Sequence, residues 1–203
     1  LLEMIIAALN QNQVKIESAR ASSFVERELI AWIHNLIYDR KGSFYEKNIH
    51  NHRIALGNVT SGGTLSNMTA LMVAREKAFP PDGDFHGLRA EGSDKALRHY
   101  GYSRGVVIVS TRGHYSITKA VNLLGMGESN VINIPVDNNN HIDIKKLRRR
   151  IKSLQEDTHE RSKIIAIVGI AGTTETGNID DLEALAEISE KAGAHFHVDA
   201  AWG

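Results

Sequence analysis

The chain contains no cysteine. Disulfides, thiolate metal sites and cysteine nucleophiles are therefore excluded, and a cytoplasmic setting fits. Net charge is missing too: 24 Lys plus Arg stand against 24 Asp plus Glu. That balance removes any electrostatic case for nucleic acid or an anionic membrane as partner. No apolar run approaches transmembrane length. The leading segment Leu1-Leu2-Glu3-Met4-Ile5-Ile6-Ala7-Ala8-Leu9 is too short, and lacks the basic flank, for a signal peptide. Internal repeats and low-complexity tracts are absent as well. What is there is ordinary for a globular protein: 203 residues, 42% hydrophobic and 24% charged. That suffices for one α/β domain or a large part of one. The sequence opens without Met inside an apolar helical pattern and stops just after a strand. A domain boundary normally falls in a polar linker, so the expectation is a fragment of a longer polypeptide.

Residues 1–9 read as a partly buried helix broken by Asn10-Gln11-Asn12-Gln13. Ser23-Phe24-Val25-Glu26 has the form of a capping box. It predicts a packed helix with Leu29, Ile30, Trp32, Ile33, Leu36 and Ile37 as its apolar positions. Trp32 is expected as a core or interface anchor. Leu65 to Ala78 is strongly helical, and residues 85–104 read as a polar loop with a short helix at 93–99. From Gly105 strands and helices alternate. Strands are expected at 106–109, 131–136, 164–168 and 195–199. Helices are expected at 118–124, after Asp143 as a cap, and after Asp180 as a cap. Nearly continuous apolar strands alternating with helices mean a mostly parallel sheet covered on both faces.

Four stretches carry polar groups suited to chemistry. Thr60-Ser61-Gly62-Gly63-Thr64-Leu65-Ser66-Asn67 precedes a helix. Its glycines permit close approach, and the helix start offers free N–H groups and a positive dipole end, a recipe for phosphate or carboxylate. It is neither a P-loop nor a dinucleotide turn, and a tight N-cap turn explains it equally well. Thr111-Arg112-Gly113-His114-Tyr115-Ser116 leaves a strand end, where an imidazole can lie over a planar ligand or be simply a capping or core histidine. Gly172-Thr173-Thr174-Glu175-Thr176-Gly177 leaves another, as a hydroxyl-rich edge or a plain connector. His195, His197 and Asp199 alternate along the last strand and so share a face. Hydrogen-bonded histidines are expected there rather than zinc, and no metal is assigned. Asp199 stands where open α/β sheets place ligands, although a turn cap would look the same.

In this order and spacing the four stretches resemble the group II pyridoxal-phosphate-dependent amino-acid decarboxylases over roughly residues 44–203. His197-Val198-Asp199-Ala200-Ala201-Trp202-Gly203 is similar to that family's HVDAA-aromatic signature. Ser61-Gly62-Gly63-Thr64-Leu65-Ser66-Asn67-Met68 looks closest to the glutamate decarboxylase form of its phosphate loop. The resemblance implies the α/β fold of the type I aminotransferases. Residues 1–43 would form an amino-terminal helical segment, and 44–203 an incomplete large cofactor-binding domain. It implies pyridoxal 5'-phosphate as cofactor, an amino acid as substrate and a homodimer as assembly. Carried over residue by residue, Gly63 and Thr64 bind the phosphate. His114 stacks on one ring face and Ala201 packs against the other. Thr174 lies near the 3-hydroxyl side or the pyridine edge. Asp199 pairs with the ring nitrogen, and His197 supports the strand.

The implied activity is that of a carboxy-lyase converting glutamate to 4-aminobutyrate or aspartate to β-alanine. Two alternatives stand beside it. One is a group II decarboxylase for aromatic amino acids or diaminobutyrate. The other is a non-catalytic cofactor-binding or dimerisation module. The resemblance places the Schiff-base lysine beyond residue 203, and Lys119 and Lys191 do not match it. The 203-residue chain alone is therefore expected to be inactive.

Overall fold

The computed structural model describes residues 2–9, 16–19 and 21–203. The helix break expected at Asn10–Gln13 lies outside them. Two compact units emerge, Leu1–Thr60 and Ser61–Gly203. Residues 44–60, grouped with the second segment by sequence, group here with the first.

The first unit is helical: α1 (Leu2–Leu9), α2 (Ile16–Ala19), α3 (Ala21–Tyr38) and α4 (Phe44–Asn48). In α1, Met4 and Ile5 are exposed rather than buried. The capping-box reading fails, because α3 already begins at Ala21 and Ser23 lies buried inside it. Ser22, at the start of α3, donates its hydroxyl to the Ala19 carbonyl at 2.7 Å. The expected packed face of α3 is also corrected. Ala31 is buried, but Trp32 is 68% and Leu36 85% exposed. Apolar periodicity marks a face that can be buried; it does not say what covers it. The Arg27 guanidinium organises the unit by donating to the carbonyls of Asn51 at 2.7 Å and Ile54 at 3.2 Å. His50, of the His50-x-His52 pair, meets Glu28 at 2.9 Å on an exposed surface.

The second unit starts with α5 (Gly63–Ala78), whose buried residues Asn67, Leu71 and Ala74 fall on one helical face. α6 (Leu88–Tyr100) is longer than the predicted 93–99 and bends at Gly92, where φ is 81°. Its few apolar residues are well placed: Phe85 just ahead of it, Leu88 and Ala96 are all buried. Then come β1 (Arg104–Ser110), α7 (Ser116–Leu123), β2 (Val131–Ile134), α8 (Ile144–Glu156), β3 (Ser162–Ile170), α9 (Leu182–Lys191) and β4 (His195–Asp199).

The four strands form a parallel sheet in the order β2-β1-β3-β4. Alternation sends Val107 and Val109 towards α5, α6 and α7, and Val106 and Ile108 towards α8 and α9. A register shift opposite Val106/Val107 inserts Ile165 into β3. Ile165 and Ala166 consequently face the same layer, as a bulge requires. Each fully buried Leu or Ile, such as Leu147 or Ile167, contributes about 1.5–3 kcal/mol of transfer free energy. Asp143 caps α8 as predicted, accepting from Lys146 N at 3.0 Å, and Arg148-Arg149-Arg150 is its exposed side. Asp180 does not cap α9. That cap is Asp181, which accepts from Ala184 N at 3.0 Å. Asp180 is buried and receives Ile142 N at 2.7 Å and Ile170 N at 2.9 Å, stitching the end of β3 to the segment before α8.

Candidate active site

Parallel topology delivers the loops after β1, β3 and β4 to one edge of the sheet, at the strands' carboxyl ends. The amino end of α5 reaches the same edge. Between them lies a cavity of about 280 Å³ lined by Gly63, Thr64, His114, Thr174, Asp199 and Ala201. These are all of the residues the sequence singled out as cofactor contacts. The volume sits near the lower end of small-molecule sites, which start at roughly 300 Å³.

Gly63 and Thr64 open α5, so their N–H groups have no intrahelical acceptor and point out of the helix end. The glycine is needed for close approach: a Cβ at Gly63 would lie 3.1 Å from the Cβ of Ala201. Across the cavity, Gly172 adopts φ +90°, and a Cβ there would meet the Trp202 carbonyl carbon at 3.0 Å. Small residues thus let three loops converge. Thr173 is buried and braces its loop, with its hydroxyl 2.8 Å from that of Thr176 and accepting from Asn178 N at 3.0 Å. Thr174 lines the cavity from the exposed side of that loop.

The imidazole of His114 is half-buried. Its Nδ1 accepts from Ser116 N at 3.2 Å and lies 2.8 Å from Ser116 Oγ. Because Nδ1 is an acceptor, the ring proton of the neutral form resides on Nε2. Asp199 ends β4 with 7% of its surface exposed. Its Oδ2 accepts from Asn67 Nδ2 at 2.9 Å, and its Oδ1 accepts from Ala201 N at 3.3 Å. Among the described residues no cation lies within ion-pair distance of it. His197 packs behind this carboxylate, with Nε2 2.8 Å from Asn67 Oδ1. Burial drives its pKa down to about 4, assisted by His195 and opposed by the attraction of Asp199. Burial, then Lys77, also lowers that of His195. Both imidazoles are hence neutral near pH 7. Among the described residues no cluster of His, Asp or Glu is arranged to hold a metal ion.

Asn67, Arg112 and Ser116 line the same cavity and were not singled out from sequence. For Asn67 a signal existed: it stands four residues after Gly63, one turn along the same face of α5. Lys119 stacks over the Tyr115 ring at 4.9 Å, and Lys191 pairs with Glu187 at 3.5 Å.

The family model described as "Pyridoxal-dependent decarboxylase conserved domain" matches residues 1–203. The chain belongs to this family. Among its pyridoxal-dependent decarboxylase relatives, aspartate 1-decarboxylase of Aliivibrio fischeri is 46% identical over all of this chain and 36% of its own length. L-2,4-diaminobutyrate decarboxylase of Acinetobacter baumannii is 30% identical over 99% of this chain and 37% of its own. The crystal structure of the glutamate decarboxylase domain of a Vibrio parahaemolyticus diaminobutyrate-pyruvate transaminase and L-2,4-diaminobutyrate decarboxylase superposes with a TM-score of 0.76. It is 29% identical, with 99% of this chain and 39% of that one covered. The chain therefore spans little more than a third of these relatives' length. The α/β fold predicted by the resemblance is the fold found.

The cavity suits the family's cofactor on its own chemistry. A buried carboxylate without a cationic partner calls for a positive group beside it. Amides without an intrahelical acceptor at a helix start suit an anion. An imidazole and a methyl group, from His114 and Ala201, line the space between.

Proposed function

We propose that this protein removes the α-carboxylate of an acidic L-amino acid, aspartate or glutamate, with pyridoxal 5'-phosphate held in the cavity. The observation that carries this reading is Asp199: a buried carboxylate at a strand end, open to the cavity and lacking any cation among the described residues. In this reading residues 44–203 contribute to the large cofactor-binding domain.

When bound, the cofactor supplies an electron sink for the pair left behind as CO2 departs. The chain's own groups make that possible. Asp199 would accept from the ring nitrogen and favour its protonated form, because an adjacent opposite charge stabilises the cation. Low local dielectric strengthens that pairing over what water would allow. The N–H groups of Gly63 and Thr64, with the Thr64 hydroxyl and the positive end of α5, bind the phosphate. His114, Ala201 and Thr174, which line the same cavity, would hold the ring between them.

Two observations support an acidic substrate. The 46% identical relative is an aspartate 1-decarboxylase. Arg112 also lines the cavity; its guanidinium donates to Asn140 Oδ1 at 3.0 Å, and a cation at this rim favours a second carboxylate over a second ammonium. β-Alanine or 4-aminobutyrate would be the product. A cytoplasmic homodimer belongs to the same proposal, and the exposed apolar residues of α3 give a second copy surface to bury. The test is CO2 release by the full-length holoprotein from aspartate, glutamate, 2,4-diaminobutyrate and tyrosine. Turnover of aspartate or glutamate upholds the proposal. Turnover of diaminobutyrate or tyrosine alone, or of none, refutes it.

A further inference from the structure

One residue ties the site together without having been assigned any part in it. Asn67 is 3% exposed, and all three polar positions of its side-chain amide are engaged. Nδ2 donates to Ser116 Oγ at 2.9 Å and to Asp199 Oδ2 at 2.9 Å. Oδ1 lies 2.8 Å from His197 Nε2.

The direction of each bond follows from the neighbours. An amide turned the other way would set its oxygen against the Asp199 carboxylate, two acceptors with no proton between them. The NH2 group therefore faces Asp199 and Ser116, and His197 must donate its Nε2–H to Oδ1. Ser116 Oγ, already an acceptor from Asn67, has its own proton free for His114 Nδ1 at 2.8 Å. The backbone N–H of Ser116 reaches the same nitrogen at 3.2 Å. One amide thus links the strand-end carboxylate to the imidazole across the cavity, through the fully buried Ser116.

We infer that Asn67 is a positioning residue, whose amide locks the Asp199 carboxylate and the His114 imidazole into one hydrogen-bonded unit and fixes both before a ligand arrives. The inference rests on the reading of Asp199 and His114 given above. It assigns Asn67 no contact with the reacting atoms. Its placement follows from helix geometry: one turn below Gly63, it lies beneath the amides that face the phosphate. Fully satisfied buried networks of this kind hold one geometry, because any rearrangement strands a polar group in low dielectric.

Two measurements test it. The first is 15N NMR of the histidine rings in the cofactor-free wild type. The network requires the Nε2–H tautomer at both His114 and His197. An Nδ1–H form at either overturns the inference. The second compares wild type with Asn67→Leu, which keeps the volume and removes every bond. With ring-15N-labelled pyridoxal phosphate bound, the ring-nitrogen resonance should shift in the variant. Its dissociation constant should rise about tenfold or more, the usual cost of losing a hydrogen bond to a charged group. A purely structural Asn67 would lower the melting temperature and leave that resonance where it was, which overturns the inference. Should the variant not fold, the wild-type tautomers decide alone. Failure of the cofactor reading would show separately, as no pyridoxal phosphate binding by the wild type.

Discussion

The side-chain amide of Asn67 donates to the carboxylate of Asp199 at 2.9 Å, joining the first turns of α5 to the end of β4 across 132 residues of sequence. Through this bond the amino end of α5 and the carboxyl end of β4, both at the cavity, become parts of one object. His197 completes it from behind, and its burial gives the site a dependence on pH.

His197 titrates at about 4 when folded against 6.5 as its ordinary value. Between those values the unfolded chain binds a proton that the folded chain refuses. The contribution to stability is therefore complete above the unfolded value and is lost as pH falls towards the folded one. It amounts at most to on the order of 3 kcal/mol. His195, also lowered, acts with the same sign. His197→Gln keeps a donor for Asn67 and removes the titration. Urea unfolding across that interval should show a flatter pH slope for the variant than for the wild type; equal slopes would contradict the assignment.

Thr64→Ala removes one hydroxyl from the helix start and leaves the amides in place. The dissociation constant of pyridoxal phosphate should rise roughly three- to tenfold. The turnover number at saturating cofactor should change less. Fluorescence titration of cofactor-free wild type and variant with pyridoxal phosphate reads the first, and CO2 release the second.

Asp180→Ala leaves the N–H groups of Ile142 and Ile170 without their acceptor inside the protein. Each orphaned donor costs about 1–3 kcal/mol. The variant should unfold at clearly lower urea concentration. Asp181→Ala, which removes only a helix cap, should cost about 1 kcal/mol. The order of the two midpoints checks which aspartate is structural.

Much of the second unit was legible in the sequence. Apolar runs such as Ile164-Ile165-Ala166-Ile167-Val168 can hardly be anything but buried strands, and parallel strands with crossovers send their loops to one edge. His114 and Thr174 on those loops, and Asp199 at the end of β4, consequently line one cavity. Local pattern was a poorer guide wherever two readings share one signature. Asp180 and Asp181 both precede a helix, and only tertiary contacts separate the structural carboxylate from the cap. Ser23-x-x-Glu26 has the form of a cap yet lies within α3, because a favourable local motif does not stop a helix that continues upstream. The apolar stripe on α3 reports a capacity for burial whose partner is not written in the stripe. Asn67 stood one turn after Gly63 on the same helix face, but that spacing alone does not separate it from other polar helix residues until its three partners are in place.

The central claim is that Asp199 holds the ring nitrogen of pyridoxal phosphate in its protonated form. The most direct measurement is CO2 release from aspartate and glutamate by the full-length holoprotein carrying Asp199→Asn. This substitution preserves shape and removes the charge. Loss of about a hundredfold or more in turnover is predicted, the scale on which single preorganised electrostatic groups act. Turnover within a factor of two or so of wild type, with the cofactor still bound, would contradict the account.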